Sequence, residues 1–311
     1  QAEDGIRDVE RSRGLGDVYK RQLENIFSRS DSTKAYSLLS PSLLLLIFVF
    51  AFPIFFLIAY SFWTQDYVTV DTTLTLENYK TVINKSSYHT LIKRSLVISS
   101  LTTLVTVLLA YPMAYYVAFV VKDRKLLWLI ALTIPFWTSY LLRVFAWKLI
   151  LGYNGVINGS LSNLGIIENP LSFLLYNTFA VFVTLAHAWS AFAILPIYVS
   201  LEKIDRSLLE AASDLGDSAF KRFWRITFPL SFPGVLAAAL IIFIPTTGDY
   251  ITPKLVGGSE GIMVANLIQI MFGKANNWPL GSSLAIVTMT IVTVLVICFV
   301  LISRWLISRI K

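Results

Sequence analysis

Apolar positions in this chain neither alternate nor return to one face at helical intervals; they run on. Long uninterrupted runs cover about 42–63, 95–121, 172–199, 231–245 and 284–305, and another starts near 126. Each is close to the roughly 20 residues that a helix needs to cross a bilayer. The run from 126 loses definition after Tyr140, where Arg143 and Lys148 interrupt it, and Pro41 stands at the opening of the first. The pattern predicts an all-α integral membrane protein with about six transmembrane helices.

Composition supports this. Hydrophobic residues make up 56% of the 311 and charged residues 14%, with a mean hydropathy of +0.67; soluble domains carry about 25% charged residues. The net charge of +7 is therefore read as cytoplasmic-loop charge rather than as a nucleic-acid surface. Lys122, Arg124 and Lys125 fill one short connection. Lys203, Arg206, Lys221, Arg222 and Arg225 fill the connection 201–229, and Arg304, Arg309 and Lys311 follow the last run. Residues 152–171 hold no basic residue, 64–92 hold Lys80 and Lys85, and 248–283 hold Lys254 and Lys274. Basic residues concentrate in cytoplasmic loops, so both termini and the 201–229 connection are expected in the cytoplasm. Trp63, Trp128 and Trp305 suit the membrane interfaces. Cys298 is the only cysteine and sits in an apolar run, so no intramolecular disulfide is possible. Residues 1–22 are charge-dense and aperiodic, resemble a translated sequencing adapter, and are expected to be extraneous or a disordered tail.

The least membrane-like stretch of the second half is LLEAASDLGDSAFKRFWRITFPL, Leu208 to Leu230. Ser207 and Glu210 have capping-box spacing, and Leu208, Ala211, Ala212 and Leu215 share one helical face. Gly216 is placed to end that helix in the left-handed conformation. Asp217 and Ser218 can cap a second short helix, with Phe220, Phe223 and Trp224 as its apolar stripe. Pro229 is expected to keep it from running into the fifth span. Docking into another protein, contact with anionic lipid and packing on the chain's own spans are each compatible with this pattern; the small Ala211 and Ala212 favour docking.

Glu210-Ala211-Ala212, Gly216 after three residues, and Ile226-Thr227-Phe228-Pro229 after nine more resemble the EAA motif of ATP-binding cassette (ABC) importer permeases. Phe228 stands where that motif usually has leucine. The stretches 134–151, 195–216, 243–258 and 276–283 are similar to permeases of spermidine/putrescine importers. The resemblance implies the type I importer permease fold in the bacterial inner membrane. It implies a first span with its outward loop over 23–91 and a core permease over 92–305, with the coupling loop at 201–229. It further implies an ATPase dimer docked on that loop, a second permease subunit, and an external solute-binding protein. Transport then proceeds by alternating access, and the solute is a polyamine or, failing that, an opine, an amino-acid-like compound, iron or thiamine.

No phosphate-binding loop of the G-x-x-x-x-G-K-[ST] type occurs, so ATP and Mg belong to the partner and the chain is expected to carry no cofactor, metal site or enzyme centre. His89 and His187 lack a carboxylate cluster, and His187 reads as a packing residue. A cationic solute calls for acids and aromatic faces. Asp249 follows Pro245-Thr246-Thr247-Gly248, and an acid at membrane depth costs about 2.5–3.5 kcal/mol on insertion scales. Trp137, Tyr140, Trp189 and Tyr250 could give cation–π faces of about 0.5–2 kcal/mol each. Asp249 could equally be a structural partner of Arg143 or Lys254. A stand-alone channel or secondary carrier is the competing class, although the two halves of the chain show no repeat of the kind many carriers have.

Overall fold

The computed structural model describes residues 31–308. The expectation for 1–22 and the basic residues Arg309 and Lys311 lie outside them. The chain divides into two compact units, 1–59 and 60–311. In the first, helix α1 (Asp31–Ser61) runs through Pro41 and Pro53, so Pro41 lies inside the helix instead of opening it. Phe48, Phe52 and Phe56 stack along its side, with centroids 5.1 and 4.6 Å apart.

The second unit begins with a β-hairpin that the apolar pattern did not suggest. Strands β1 (Thr64–Asp66) and β2 (Thr69–Asp71) pair antiparallel around a two-residue loop. Helices α2 (Glu77–Asn84) and α3 (Ser86–Tyr115) follow. Helix α3 starts nine residues before the expected span because Tyr88 and Ile92 are buried with Val82, Val264 and Leu284 in a cluster of their own. It ends in a π-helical turn, Tyr116–Val120.

The third apolar run is broken. Helix α4 (Lys125–Thr133) tightens into a 3₁₀ turn at Ile134–Trp137, and α5 (Tyr140–Leu151) leaves at 81° to it. Helix α6 (Val156–Asn163) carries buried Asn158, whose amide donates to the carbonyls of Tyr153 and Leu171 and accepts from Leu171 N–H, tying the loops on either side. The fourth span, α7 (Thr178–Glu202), starts later than its hydropathy indicates, because Asn177 accepts a hydrogen bond from Ala180 N–H at 2.9 Å and caps it there.

The 201–229 connection holds α8 (Arg206–Asp214) and α9 (Ala219–Arg222). A π-helical turn, Phe223–Thr227, then joins α9 to α10 (Phe228–Thr247) without a break. Pro229 therefore does not stop the helix. Proline lacks an N–H and its ring excludes the carbonyl four residues back. The widened turn absorbs that conflict: Phe228 N–H bonds to Phe223 O, five residues away. Helices α11 (Ile251–Val256), α12 (Val264–Phe272) and α13 (Trp278–Ser308) complete the chain. Among the described residues, five helices are long and apolar enough to span a membrane, or six when the bent pair is counted as one span. The centre is α7, packed on α3 and α10 through small buried residues such as Ala110, Ala114, Ala193 and Ala238.

Candidate functional site

Two constellations concern function. The first is the α8–α9 loop. Its N-cap is Asp205, whose Oδ1 accepts from Ser207 N–H at 3.0 Å. The capping box expected from Ser207 and Glu210 is thus corrected. The chain turns out of α7 at buried Ile204, whose N–H bonds to Leu201 O, so the first residue able to cap is Asp205 and Ser207 is already helical. That hydrogen bond holds the Asp205 carboxyl below its ordinary range.

Gly216 ends α8 at φ +85°. Gly216 N–H bonds to Ser213 O at 2.9 Å and Asp217 N–H to Ala212 O at 3.0 Å, the paired bonds of a Schellman motif. Ser218 then caps α9. Asp217 does not cap; it pairs with Arg225 at 3.2 Å, and Arg222 donates to Leu209 O at 3.4 Å. The two short helices are thereby tied to each other across the glycine.

The expected apolar stripe divides. Phe223 turns inward against Tyr111 and Tyr115, at centroid distances of 5.7 and 6.4 Å. Phe220, 73% exposed, and Trp224 face outward with Leu208, Ala211 and Leu215, the last 87% exposed. Ala212 is buried beneath them. At the root of the loop, Lys125 Nζ meets the Glu202 carboxylate at 2.9 Å and Ala118 O at 2.8 Å. Arg206 also donates to Ala118 O, at 3.3 Å. Carbonyls at a helix end lack partners within the helix, and here cations supply them.

The second constellation brings Tyr140 and Asp249 into direct contact. Asp249 is 9% exposed. Its Oδ1 accepts from the N–H groups of Ile251 and Thr252 at 2.8 and 3.3 Å, and its Oδ2 from Thr252 Oγ1 at 2.7 Å and from the Tyr140 hydroxyl. Neither Arg143 nor Lys254 pairs with it. Arg143 instead donates to Phe136 O and Thr138 O at 2.7 and 2.8 Å, holding the carbonyls freed by the break between α4 and α5. Trp189 lies beside Tyr140 at 6.4 Å, and its indole N–H is buried without a hydrogen-bond partner among the described residues. Trp137 and Tyr250 are exposed, at 74% and 42%. His187 is packed between Phe136 and Trp147, each at 5.4 Å.

Thr252 and Asn266 were not anticipated. Asn266 accepts from Met263 N–H at 3.1 Å and donates to Tyr250 O at 2.8 Å, fixing the backbone around Asp249 from the other side. Asn266 stands three residues into the apolar start of α12, and a lone amide there is the one signal that could have pointed to it. No group of three or more metal-ligating side chains exists among the described residues.

Long apolar helices joined by a capped, outward-facing helical loop are features of a transport permease, a multi-pass protein of the membrane. Residues 26–311 match the family described as binding-protein-dependent transport system inner membrane component, and the chain belongs to that family. It is 35% identical over 242 residues to the spermidine/putrescine transport system permease protein PotB of Haemophilus influenzae, covering 78% of this chain and 84% of that one. Its fold matches a bacterial ABC transporter involved in import of the acidic polysaccharide alginate, with a TM-score of 0.70 and 17% identity over 93% of this chain and 99% of that one. It also matches the bacterial alginate ABC transporter in complex with an alginate pentasaccharide-bound periplasmic protein, with a TM-score of 0.68 and 17% identity over 88% and 94% of the two chains. The protein is an inner-membrane permease subunit of a type I ABC importer.

Proposed function

We propose that this chain is one of two permease subunits of a spermidine/putrescine importer, with both termini and the 201–229 loop in the cytoplasm. Likeness to a polyamine permease over 78% of this chain is the observation that carries the solute class. The described part of 23–91 holds the first span and an outward loop, and 92–305 the core. The outward face of α8, Leu208, Ala211 and Leu215, with Phe220 beyond the glycine, seats in a separate ATPase subunit. Small and apolar residues on a capped helix are what a groove in a partner accepts. ATP and Mg stay on that subunit, a paralogous permease completes the pathway, and an external solute-binding protein delivers the polyamine.

The loop is suited to transmit rigid-body motion. Asp205, Gly216 and the Asp217–Arg225 pair fix the shape of α8 and α9. Phe223 and Arg206 join them to the end of the second span. In the outer half, Asp249 acts as a clamp, not as a ligand. A carboxylate offers about four lone-pair sites, and the N–H and O–H groups of Ile251, Thr252 and Tyr140 occupy them. The aromatic faces left exposed for an ammonium are Trp137 and Tyr250.

Reconstitution of the chain with its ATPase, paralogous permease and binding protein in vesicles tests this. ATP-dependent spermidine uptake is expected, and uptake by this chain without an ATPase would overturn it.

A further inference from the structure

Helix α3 carries an apolar stripe that the bundle leaves uncovered. Leu96, Val97, Ser100, Leu101 and Leu104 share one helical face, and Val97, Leu101 and Leu104 are exposed. Helix α13 is packed at its start, where Leu284 is buried with Val82, Tyr88 and Ile92. Further along, Val287 and Ile291 of α13 stand across an open groove from the α3 stripe. The groove holds about 780 Å³, within the range of about 300–1,000 Å³ that takes a drug-sized ligand. Ser100 and Leu104 also line a second cavity of about 380 Å³, which continues past Thr103 and Val107 between α3, α10 and α13. Apolar walls keep water out, and in a bilayer the filling is hydrocarbon.

The titratable residues that line the groove are His89 and Lys93, both at the end where α3 begins, and no acid lines it. His89 Nε2–H donates to Val82 O at 3.1 Å, pinning the ring across the turn between α2 and α3. Lys93 is exposed and has no hydrogen-bond or ion-pair partner among the described residues. The other charges of 77–94 are Glu77, Lys80, Lys85 and Arg94, so this edge is basic overall. Lys85 lies over the Tyr88 ring at 4.9 Å, and Arg94 donates to Ser259 O and Ile262 O at 3.4 and 3.3 Å. Of the acids on the elements packed here, Glu77 of α2 and Glu260 of the loop that Arg94 holds, neither is ion-paired to Lys93 among the described residues. The depth of Lys93 is that of lipid headgroups. From Lys93, α3 and its π-helical turn rise about 40 Å to Val120, close to the ~40–45 Å thickness of a bilayer with its headgroups. From Lys93 to Val107 the rise is about 21 Å, half of that thickness.

We infer that the groove between α3 and α13 binds an anionic glycerophospholipid, its phosphate on Lys93 beside His89 and an acyl chain laid along the stripe toward Val107 at the midplane. The leaflet is the one at which α3 begins, the outer leaflet in the orientation proposed above. A phosphate gives Lys93 the acceptor it lacks, and the chain supplies contacts to walls that otherwise have none on one side. A helix of a second permease subunit would cover the stripe as well, but it would have to bring an acid to a lysine at headgroup depth. A phospholipid carries the charge and the hydrocarbon in one molecule. Bound there, it joins the last span to the core along the length where the two part. The inference requires that the chain sits in a membrane and is independent of the solute it moves.

The test places the complete importer in vesicles of phosphatidylcholine and phosphatidylglycerol, with a photoreactive acyl chain on one lipid or, in a parallel sample, on the other at the same amount. Labelled residues are then mapped by mass spectrometry. Label from phosphatidylglycerol should fall on 96–104 and 287–291 about fivefold above label from phosphatidylcholine, the preference that one lysine gives an anionic surface. Lys93→Gln should abolish the preference and leave hydrocarbon labelling of the groove in place, while Lys93→Arg should keep the preference. Leu101→Trp should lower labelling by both lipids. Equal labelling of the wild type by the two lipids, or a preference that survives Lys93→Gln, would overturn the inference. So would loss of the preference in Lys93→Arg, or a photo-crosslinker at position 97 that captures the second permease subunit instead of lipid. Failure of the importer reading looks different: the labelling needs neither ATP nor solute, and uptake alone would be missing.

Discussion

The sharpest test of the coupling loop is a series at Gly216. A Cβ built on this residue meets nothing within 4 Å, so any cost of substitution comes from the backbone at φ +85° alone. The left-handed conformation costs an ordinary L-residue roughly 1–2 kcal/mol, while asparagine enters it more readily. Helix α8 spans only Arg206–Asp214, short of the ~12–15 residues at which an isolated helix is even marginal in water. Its order therefore depends on its ends, and the loss falls on the loop itself. A cost of 1–2 kcal/mol lowers the ratio of ordered to disordered loop about 5- to 30-fold, and a partner that binds only the ordered form loses affinity by the same fraction. Gly216→Asn should retain most coupling, Gly216→Ala less, and Gly216→Val least, while all variants insert and assemble. The assay is spermidine uptake per ATP hydrolysed by the reconstituted complex. Gly159→Ala is the control: that site is equally open but lies within helix α6 at ordinary φ, so alanine there should be neutral or slightly stabilising. Equal coupling by the valine and asparagine variants would refute the reasoning, because it would mean the left-handed turn is not what orders the loop.

The other predictions concern packing and polar clamps. At Gly234 a Cβ would lie 2.4 Å from Pro196 O and 2.6 Å from Ser200 Cβ, so Gly234→Ala should destabilise the purified complex by about 1–3 kcal/mol. Ser200→Gly should rescue only part of that in a thermal melt, since the carbonyl contact remains. Tyr140→Phe removes one donor from buried Asp249 and should cost about 1–3 kcal/mol of stability, and Asp249→Asn more, both without changing the KM for spermidine. A changed KM at unchanged stability would make Asp249 a solute ligand. The Asp205 carboxyl is held low by Ser207 N–H, so its contribution to the α8 cap is full above the ordinary carboxylate range, about 4, and is lost as pH falls through the lowered value. Amide exchange in α8 should accordingly speed up below that range in the wild type and be fast throughout in Asp205→Ala.

Much of this molecule was legible from its hydropathy, because in lipid a spanning backbone must satisfy itself as helix and its length is set by the bilayer. The Gly216 turn was also legible, since one residue type serves one backbone conformation. Features that depend on where the chain comes from were not. Asp205 preempts Ser207 as cap only because Ile204 is pulled into the core. The break at Thr138–Ser139 holds neither proline nor glycine, and its stabiliser, Arg143, appeared in the sequence as a charge spoiling a span. The hairpin escaped notice because Tyr67-Val68 is no ordinary turn pair; what holds it is Gln65 reaching 211 positions along the chain to Asn276. Asp249 was legible as special, but its partners Tyr140 and Thr252 were fixed only by the tertiary packing of α5 on α11.

The π-helical turn at Phe223–Thr227 sets the rotational phase between loop and span. It holds one more residue than an α-turn would, and each residue of a helix sweeps about 100°. Deleting a single residue there would restore α geometry and swing Phe223 away from Tyr111, turning the α8–α9 face to a different compass bearing without altering any side chain on it. The direction in which this permease offers its coupling surface is thus written in the number of residues between Arg222 and Phe228, and a surplus residue is what aims it.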